Sequence, residues 1–327
     1  MAYATRGRLA PDGRNAILVA HGYTSGPETI APGTHAIDGS LAQLIGPGRA
    51  IDTDRFFVVC PNALGSSFGS TNAASTDPGT GRPWGSAFPD ITVADIVAGQ
   101  RALMEHLGVR HLAAVVGASF GGLQALQWAV DYPDWIDCVV PAICAPRMPG
   151  VDVPALERDL AALPGWNGGD YYDEAEGLVP ALVRRRIGAL KAFGADAVLA
   201  RELADPEARD KELNRLARAW AMKFDANSLL ILFRAMAAFD VTARLSCIRA
   251  PVLYVLSRTD RLVPPSVAPD VMAQFRAAGV QAQYMEIDSE DGHCAAGSEA
   301  HRWAEDLRAF IARTQAQGIA KRRAHPA

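Results

Sequence analysis

Cysteine, charge of one sign and long apolar runs are all scarce in this chain of 327 residues. Its five cysteines stand at positions 60, 138, 144, 247 and 294, an odd number with no Cys-x-x-Cys pair. That excludes a disulfide framework and a zinc ribbon, and predicts reduced thiols in a cytoplasmic protein with no metal site. Lys and Arg number 32 against 36 Asp and Glu, for a net charge of −4. A balance this even excludes a nucleic-acid footprint. The one basic run, Lys321 to Arg323, reads as a frayed, solvated tail. No apolar run approaches the roughly 18 residues that span a bilayer, so no membrane partner is expected. The first fifteen residues also lack the apolar core of a signal peptide.

What is present is the composition of an ordinary globular protein, 49% hydrophobic and 21% charged. Short apolar runs recur at Ala16 to Ala20, Phe56 to Cys60, Leu112 to Val116, Val252 to Leu256 and Gln283 to Ile287. Runs this short, with little polar alternation, predict strands buried on both faces of a parallel sheet. Helical periodicity separates them over Ile91 to Leu107, Gly122 to Val130, Val271 to Ala278 and Trp303 to Ile311. The alternation predicts an α/β fold with an open, mainly parallel sheet. From Arg147 to Asp240 strand patterning stops. Pro149, Pro154, Pro164 and Gly168-Gly169 punctuate the entry, and helices are predicted over Leu182 to Leu190, Glu212 to Met222 and Asn227 to Phe239. The expected organisation is a core of residues 1–146 and 241–327 with an all-helical lid, 147–240, inserted over the sheet's C-terminal edge.

Gly117-Ala118-Ser119-Phe120-Gly121 matches Gly-x-Ser-x-Gly directly after a predicted strand and before a predicted helix. A serine on such a turn is exposed at the sheet edge, and the glycines on either side avoid clashes in a strained bend. Ser119 is therefore the candidate nucleophile. Its base and acid should follow in the order Ser, Asp, His. His293 follows the last strand, and Asp260 follows the one before it. Asp288 and Asp291 are rival acids, disfavoured by their closeness to His293. The backbone N–H groups of Phe120 and Tyr23 are the expected oxyanion donors, with His21 bracing the Tyr23 loop.

Several segments are similar to the homoserine O-acetyltransferase family of the α/β-hydrolase superfamily. They are Gly48 to Asn62 (GRAIDTDRFFVVCPN), Leu64 to Thr71 (LGSSFGST), Phe88 to Asp95 (FPDITVAD), Val115 to Trp128 (VVGASFGGLQALQW), Lys223 to Ser228 (KFDANS) and Asp260 to Pro265 (DRLVPP). The resemblance runs from about residue 15 to 312. It implies the α/β-hydrolase fold, an acyl-enzyme on Ser119, a His293–Asp260 relay and a homodimer paired through the lid. Arg184-Arg185-Arg186-Ile187-Gly188 is similar to a lid motif whose arginine binds a substrate carboxylate, and Arg185 takes that place. The chain begins close to the first family-like motif, which implies that leading strands are absent or shortened.

The chain departs from the family pattern after the last strand. Gly292-His293-Cys294 stands where the resemblance implies Gly-His-Asp, with the Asp holding the homoserine amine. A thiol carries no charge at neutral pH unless its pKa is depressed. The expected function is thus a serine hydrolase acting on small, acetyl-type esters. The alternative is a homoserine O-acetyltransferase, in which Glu28 or Glu290 replaces the missing carboxylate, or a related acyl-CoA-dependent O-acyltransferase. No cofactor is expected, and acetyl-CoA enters only as the acyl donor of the alternative.

Overall fold

The computed structural model describes residues 1–148 and 150–324, apart from the side chains of 174–176 and 319–324. Pro149 and the side chains of the Lys321 to Arg323 run lie outside them. Among the described residues nine strands form, β1 (Tyr3–Arg6), β2 (Ala16–Ala20), β3 (Ile45–Gly46), β4 (Ile51–Asp52), β5 (Phe57–Pro61), β6 (Leu112–Ala118), β7 (Val139–Ala142), β8 (Val252–Ser257) and β9 (Ala282–Ile287). Seven of them make one sheet in the order β1-β5-β2-β6-β7-β8-β9, and β3 and β4 pair separately. Every pairing in the large sheet is parallel except that of β1 with β5.

The central strands explain their own sequences. On β2, Ala16, Leu18 and Ala20 face one hydrophobic cluster, and Ile17 and Val19 face another on the opposite side. Strand side chains alternate with period two, so covering both faces with helices demands apolar residues at every position. One face is covered by α1 (Val93–His106), α2 (Phe120–Asp131) and α8 (Ala268–Ala277), the other by α9 (Ala295–Ser298) and α10 (Ala304–Ala324). The basic run Lys321 to Arg323 continues α10 rather than fraying. The edge strand β9 departs from the two-sided burial expected of it, since Gln283, Tyr284 and Glu286 are exposed.

Between β7 and β8 lie α3 (Val153–Ala161), α4 (Val179–Phe193), α5 (Ala195–Glu202), α6 (Pro206–Ala221) and α7 (Ala226–Ala237). Asp152, Asp205 and Asp225 cap α3, α6 and α7 through their carboxylates, satisfying amides that a helix start leaves unpaired. The two ends of this block meet. Arg147 and Asp240 form an antiparallel bridge, and the Val241 N–H donates to the Pro146 carbonyl at 3.0 Å. Helix α4 stops at Gly194, whose φ of 101° is in the left-handed region. A Cβ there would sit 2.3 Å from the Asp291 carbonyl oxygen, so the α4–α5 corner rests directly on the turn that carries His293. No described helix is long and apolar enough to cross a membrane.

Candidate active site

Parallel strands deliver their following loops to one edge of the sheet. Ser119 follows β6, Asp260 follows β8 and His293 follows β9. Ser119 has φ 57° and ψ −122°, a conformation that side chains rarely adopt. The surroundings hold it there. Its N–H donates to the Ala142 carbonyl at 2.9 Å, and its own carbonyl accepts from the Gly122 N–H at 2.8 Å. A Cβ on Gly117 would lie 2.1 Å from the Gly121 carbonyl oxygen, and one on Gly121 would lie 2.1 Å from that of Ala20. Both glycines of the motif are therefore required by close backbone approach.

The His293 Nε2 is 2.7 Å from the Ser119 Oγ, and its Nδ1 is 2.7 Å from an Asp260 carboxylate oxygen. A carboxylate accepts, so Nδ1 carries the proton and Nε2 is left to accept from the serine hydroxyl. The other Asp260 oxygen accepts the N–H groups of Leu262 at 2.8 Å and Val263 at 3.2 Å. Thr259 ties the acid loop to the histidine loop, donating to the Ser289 carbonyl at 2.8 Å and accepting from the Gly292 N–H at 3.1 Å. The rival acids have other partners. Asp288 pairs with Arg258 at 2.6 Å, and Asp291 is clamped by Arg201 of α5 and bonded by Ser298. Burial alone would raise the Asp291 pKa, but the hydrogen bonds from Arg201 and Ser298 outweigh it and hold it below its ordinary value.

Phe120 is the first residue of α2, so its N–H has no acceptor within the helix. Tyr23 lines the cavity above Ser119 while its hydroxyl donates to the Leu229 carbonyl at 2.6 Å. The buried His21 ring fixes this loop. Nε2 accepts from the Ala63 N–H at 2.9 Å, which places the proton on Nδ1 for the Gly22 carbonyl at 2.8 Å. Burial lowers the His21 pKa to about 4 from 6.5, against the backbone bond that raises it. The unfolded chain thus takes up a proton on His21 near 6.5 and the folded chain only near 4. This contribution to stability is whole above the unfolded value and is lost as the pH falls from one to the other, by up to about 3 kcal/mol. His21→Asn should flatten that dependence, read as urea midpoints at about pH 7 and about pH 4.5. Equal pH slopes in the two proteins would refute it.

The cavity over Ser119 has a volume of about 70 Å³. One water takes roughly 10–15 Å³ on that scale, so the space suits a small metabolite and a short acyl group. Ile37, Leu41, Ile143 and Phe193 give it apolar walls, and the Phe193 ring lies 5.5 Å from the His293 ring. Cys294 lines it too, its thiol pushed up to about 12 by burial and so neutral. Arg185, aligned above with a carboxylate-binding arginine, is not among the lining residues. It is exposed and pairs with Asp159 at 3.3 Å, although its charge is felt at Tyr23. Its neighbour Arg186 is turned into the cavity, with its side chain 3% exposed. One residue rotates the direction by about 100° on a helix, and Leu182, Arg186 and Leu190 form the buried stripe of α4. Glu28 and Glu290 are exposed, and Glu290 pairs with Arg258. The carboxylate that does line the cavity is Asp38, 2.9 Å from Arg186. Among the described residues no group of three or more His, Cys, Asp and Glu is placed to hold a metal ion.

A model of the alpha/beta hydrolase fold matches residues 15–300. The homoserine O-acetyltransferase of Rhodospirillum rubrum is 33% identical over 95% of this chain and 86% of its own length. The chain belongs to the homoserine O-acetyltransferase family of α/β hydrolases. It is an enzyme of that superfamily. Another family relative, the homoserine O-acetyltransferase of Methanosalsum zhilinae, is 35% identical over 90% of this chain, which spans 64% of that relative's length. Among solved structures, a homoserine O-acetyltransferase from Bacillus anthracis aligns with TM-score 0.80 and 27% identity, covering 94% of this chain and 91% of its own. Esterase E22 aligns as well, with TM-score 0.80 and 26% identity over 94% and 93% of the two chains. The weight of family relatives favours the transferase alternative over the ester hydrolysis expected from Cys294 alone.

Proposed function

We propose that this enzyme transfers a short acyl group, by way of an acyl-Ser119 intermediate, from a thioester of the acetyl-CoA kind to the hydroxyl of a small amino acid of the homoserine kind. Ser119 Oγ attacks the thioester carbonyl as His293 Nε2 takes its proton. The Asp260 carboxylate holds the imidazole tautomer and stabilises the imidazolium that forms. The Phe120 and Tyr23 N–H groups face the oxyanion. His293 returns the proton to the departing thiolate, then takes one from the acceptor hydroxyl as that oxygen attacks the acyl carbonyl. Collapse of this second adduct breaks the acyl–Oγ bond, His293 gives its proton to the departing Ser119 Oγ, and the ester is released.

The observation that carries this reading is a paired cation and anion, Arg186 and Asp38, in the same small cavity as Ser119. Water as acceptor requires no such pair. Hydrolysis of short acyl esters is the second reading, favoured by the neutral Cys294 thiol and by the likeness to esterase E22. The test mixes the protein with acetyl-CoA and homoserine, and separately with an acetate ester in water. Transfer to homoserine should be faster than hydrolysis of either acyl donor. Hydrolysis that homoserine neither slows nor diverts would hand the site to the esterase reading.

A further inference from the structure

Resting on the transferase reading, we infer that Asp38 is the residue that reads the acceptor's ammonium group, beside Arg186, which takes its carboxylate. The Arg186 guanidinium is buried in a frame drawn from both parts of the molecule. One terminal nitrogen donates to the Thr24 hydroxyl at 2.6 Å and the other to Asp38 at 2.9 Å. The guanidinium carbon lies 5.1 Å from the centre of the Trp220 ring, whose indole N–H donates to the Thr24 carbonyl at 2.9 Å. Thr24 and Asp38 belong to the chain after β2, and Arg186 and Trp220 to α4 and α6.

This frame leaves hydrogen-bonding capacity unused. A guanidinium has five N–H donors, and two side-chain acceptors meet it among the described residues. Its Nε is buried with no partner. Leaving a buried donor unmet is costly, and a carboxylate's two oxygens match the planar fork of an arginine. Asp38 bonds Arg186 through one oxygen, and its other oxygen has no hydrogen-bond partner among the described residues. Its side chain is 31% exposed, so an incoming ligand can reach it.

The spacing of the two groups selects the ligand. A cation and an anion in direct contact match a ligand whose own charges sit on one carbon, as in an α-amino acid. An acceptor with a single charge leaves one protein group facing its apolar end. Among the described residues the remaining walls, with a neutral thiol at Cys294, offer no other anion within the cavity.

The test compares kcat/KM for acyl transfer to homoserine and to 4-hydroxybutyrate, the same acceptor without its amine. The wild type should favour homoserine, and Asp38→Asn should cut that preference by at least about tenfold, the size of one charge-assisted hydrogen bond. The preference is a ratio within each variant, so a reduced folded fraction does not move it. Asp38→Glu should keep it. Asp38→Asn combined with Cys294→Asp, which returns a carboxylate to the cavity wall, should restore it. An unchanged preference in Asp38→Asn would overturn the inference and leave the transferase reading standing. Equal use of the two acceptors by the wild type would do the same without any variant. Transfer to neither acceptor would overturn both.

Discussion

Ser119→Ala should fold as the wild type does and lose turnover by about 10⁴-fold or more, the loss usual when an acyl-forming nucleophile is removed. The substitution deletes one oxygen, 2.7 Å from His293, and leaves the backbone bonds of the turn in place. His293→Ala should cost a similar factor, because Ser119 then has no base. Asp260→Asn should also be severe while leaving residual activity, since it favours the wrong imidazole tautomer without removing the base. Intact mass after mixing with an acyl donor gives the complementary measurement. The wild type should gain one acyl group on Ser119, and the alanine variant none. A Ser119→Ala protein retaining more than about a tenth of wild-type turnover would end the acyl-enzyme mechanism.

Gly121→Ala should damage the fold itself. Its Cβ would meet the Ala20 carbonyl oxygen at 2.1 Å and that of His21 at 3.1 Å. Both obstacles are backbone, so no side chain can swing aside. Strand β2 is clasped between β5 and β6, and α2 packs on the sheet through Leu123 and Leu126, so neither element can yield without disturbing the core. Overpacking commonly costs about 1–3 kcal/mol, and a backbone collision belongs above that range. We expect a loss of about 4 kcal/mol or more and a fall in Tm of roughly 10 °C. Gly188→Ala is the control. It occupies an exposed position of α4 with nothing within 4 Å of the added carbon. It should be neutral or slightly stabilising, by up to about 1 kcal/mol. Equal melting temperatures for the two variants would refute the argument.

The parts of the molecule that sequence made legible are those with strong local rules. Buried parallel strands demand unbroken apolar runs, so β2, β5, β6 and β8 announce themselves. The nucleophile turn is equally plain, because each glycine answers a specific close approach. Strand β7 was missed because it is four residues long and contains Pro141, which lacks the N–H that a central strand normally donates. β1 was missed because it alternates between half-buried and exposed residues over only four positions. Three consecutive arginines obscured the phase of α4, although Leu182 and Leu190 already pointed to Arg186 four residues from each. Asp38 ends a single short turn within the long irregular stretch between β2 and β3, and its meeting with Arg186 spans 148 residues of sequence separation. No local pattern encodes a contact of that kind.

The bridge between Arg147 and Asp240 places the two ends of the helical block side by side on the core. A segment that leaves and returns at one point can be exchanged, lengthened or trimmed without altering the register of any strand. The site draws residues from both sides of that seam. Ser119, Asp260 and His293 lie outside the helical block, as does Asp38, whereas Arg186 and Phe193 lie within it. The residues proposed for bond-making thus share one side of the seam, whereas the pair proposed for ligand choice is split across it, Asp38 on the core and Arg186 on the insert. Exchanging the insert would therefore remove one half of that pair and leave the other, which lines the cavity over Ser119, in place.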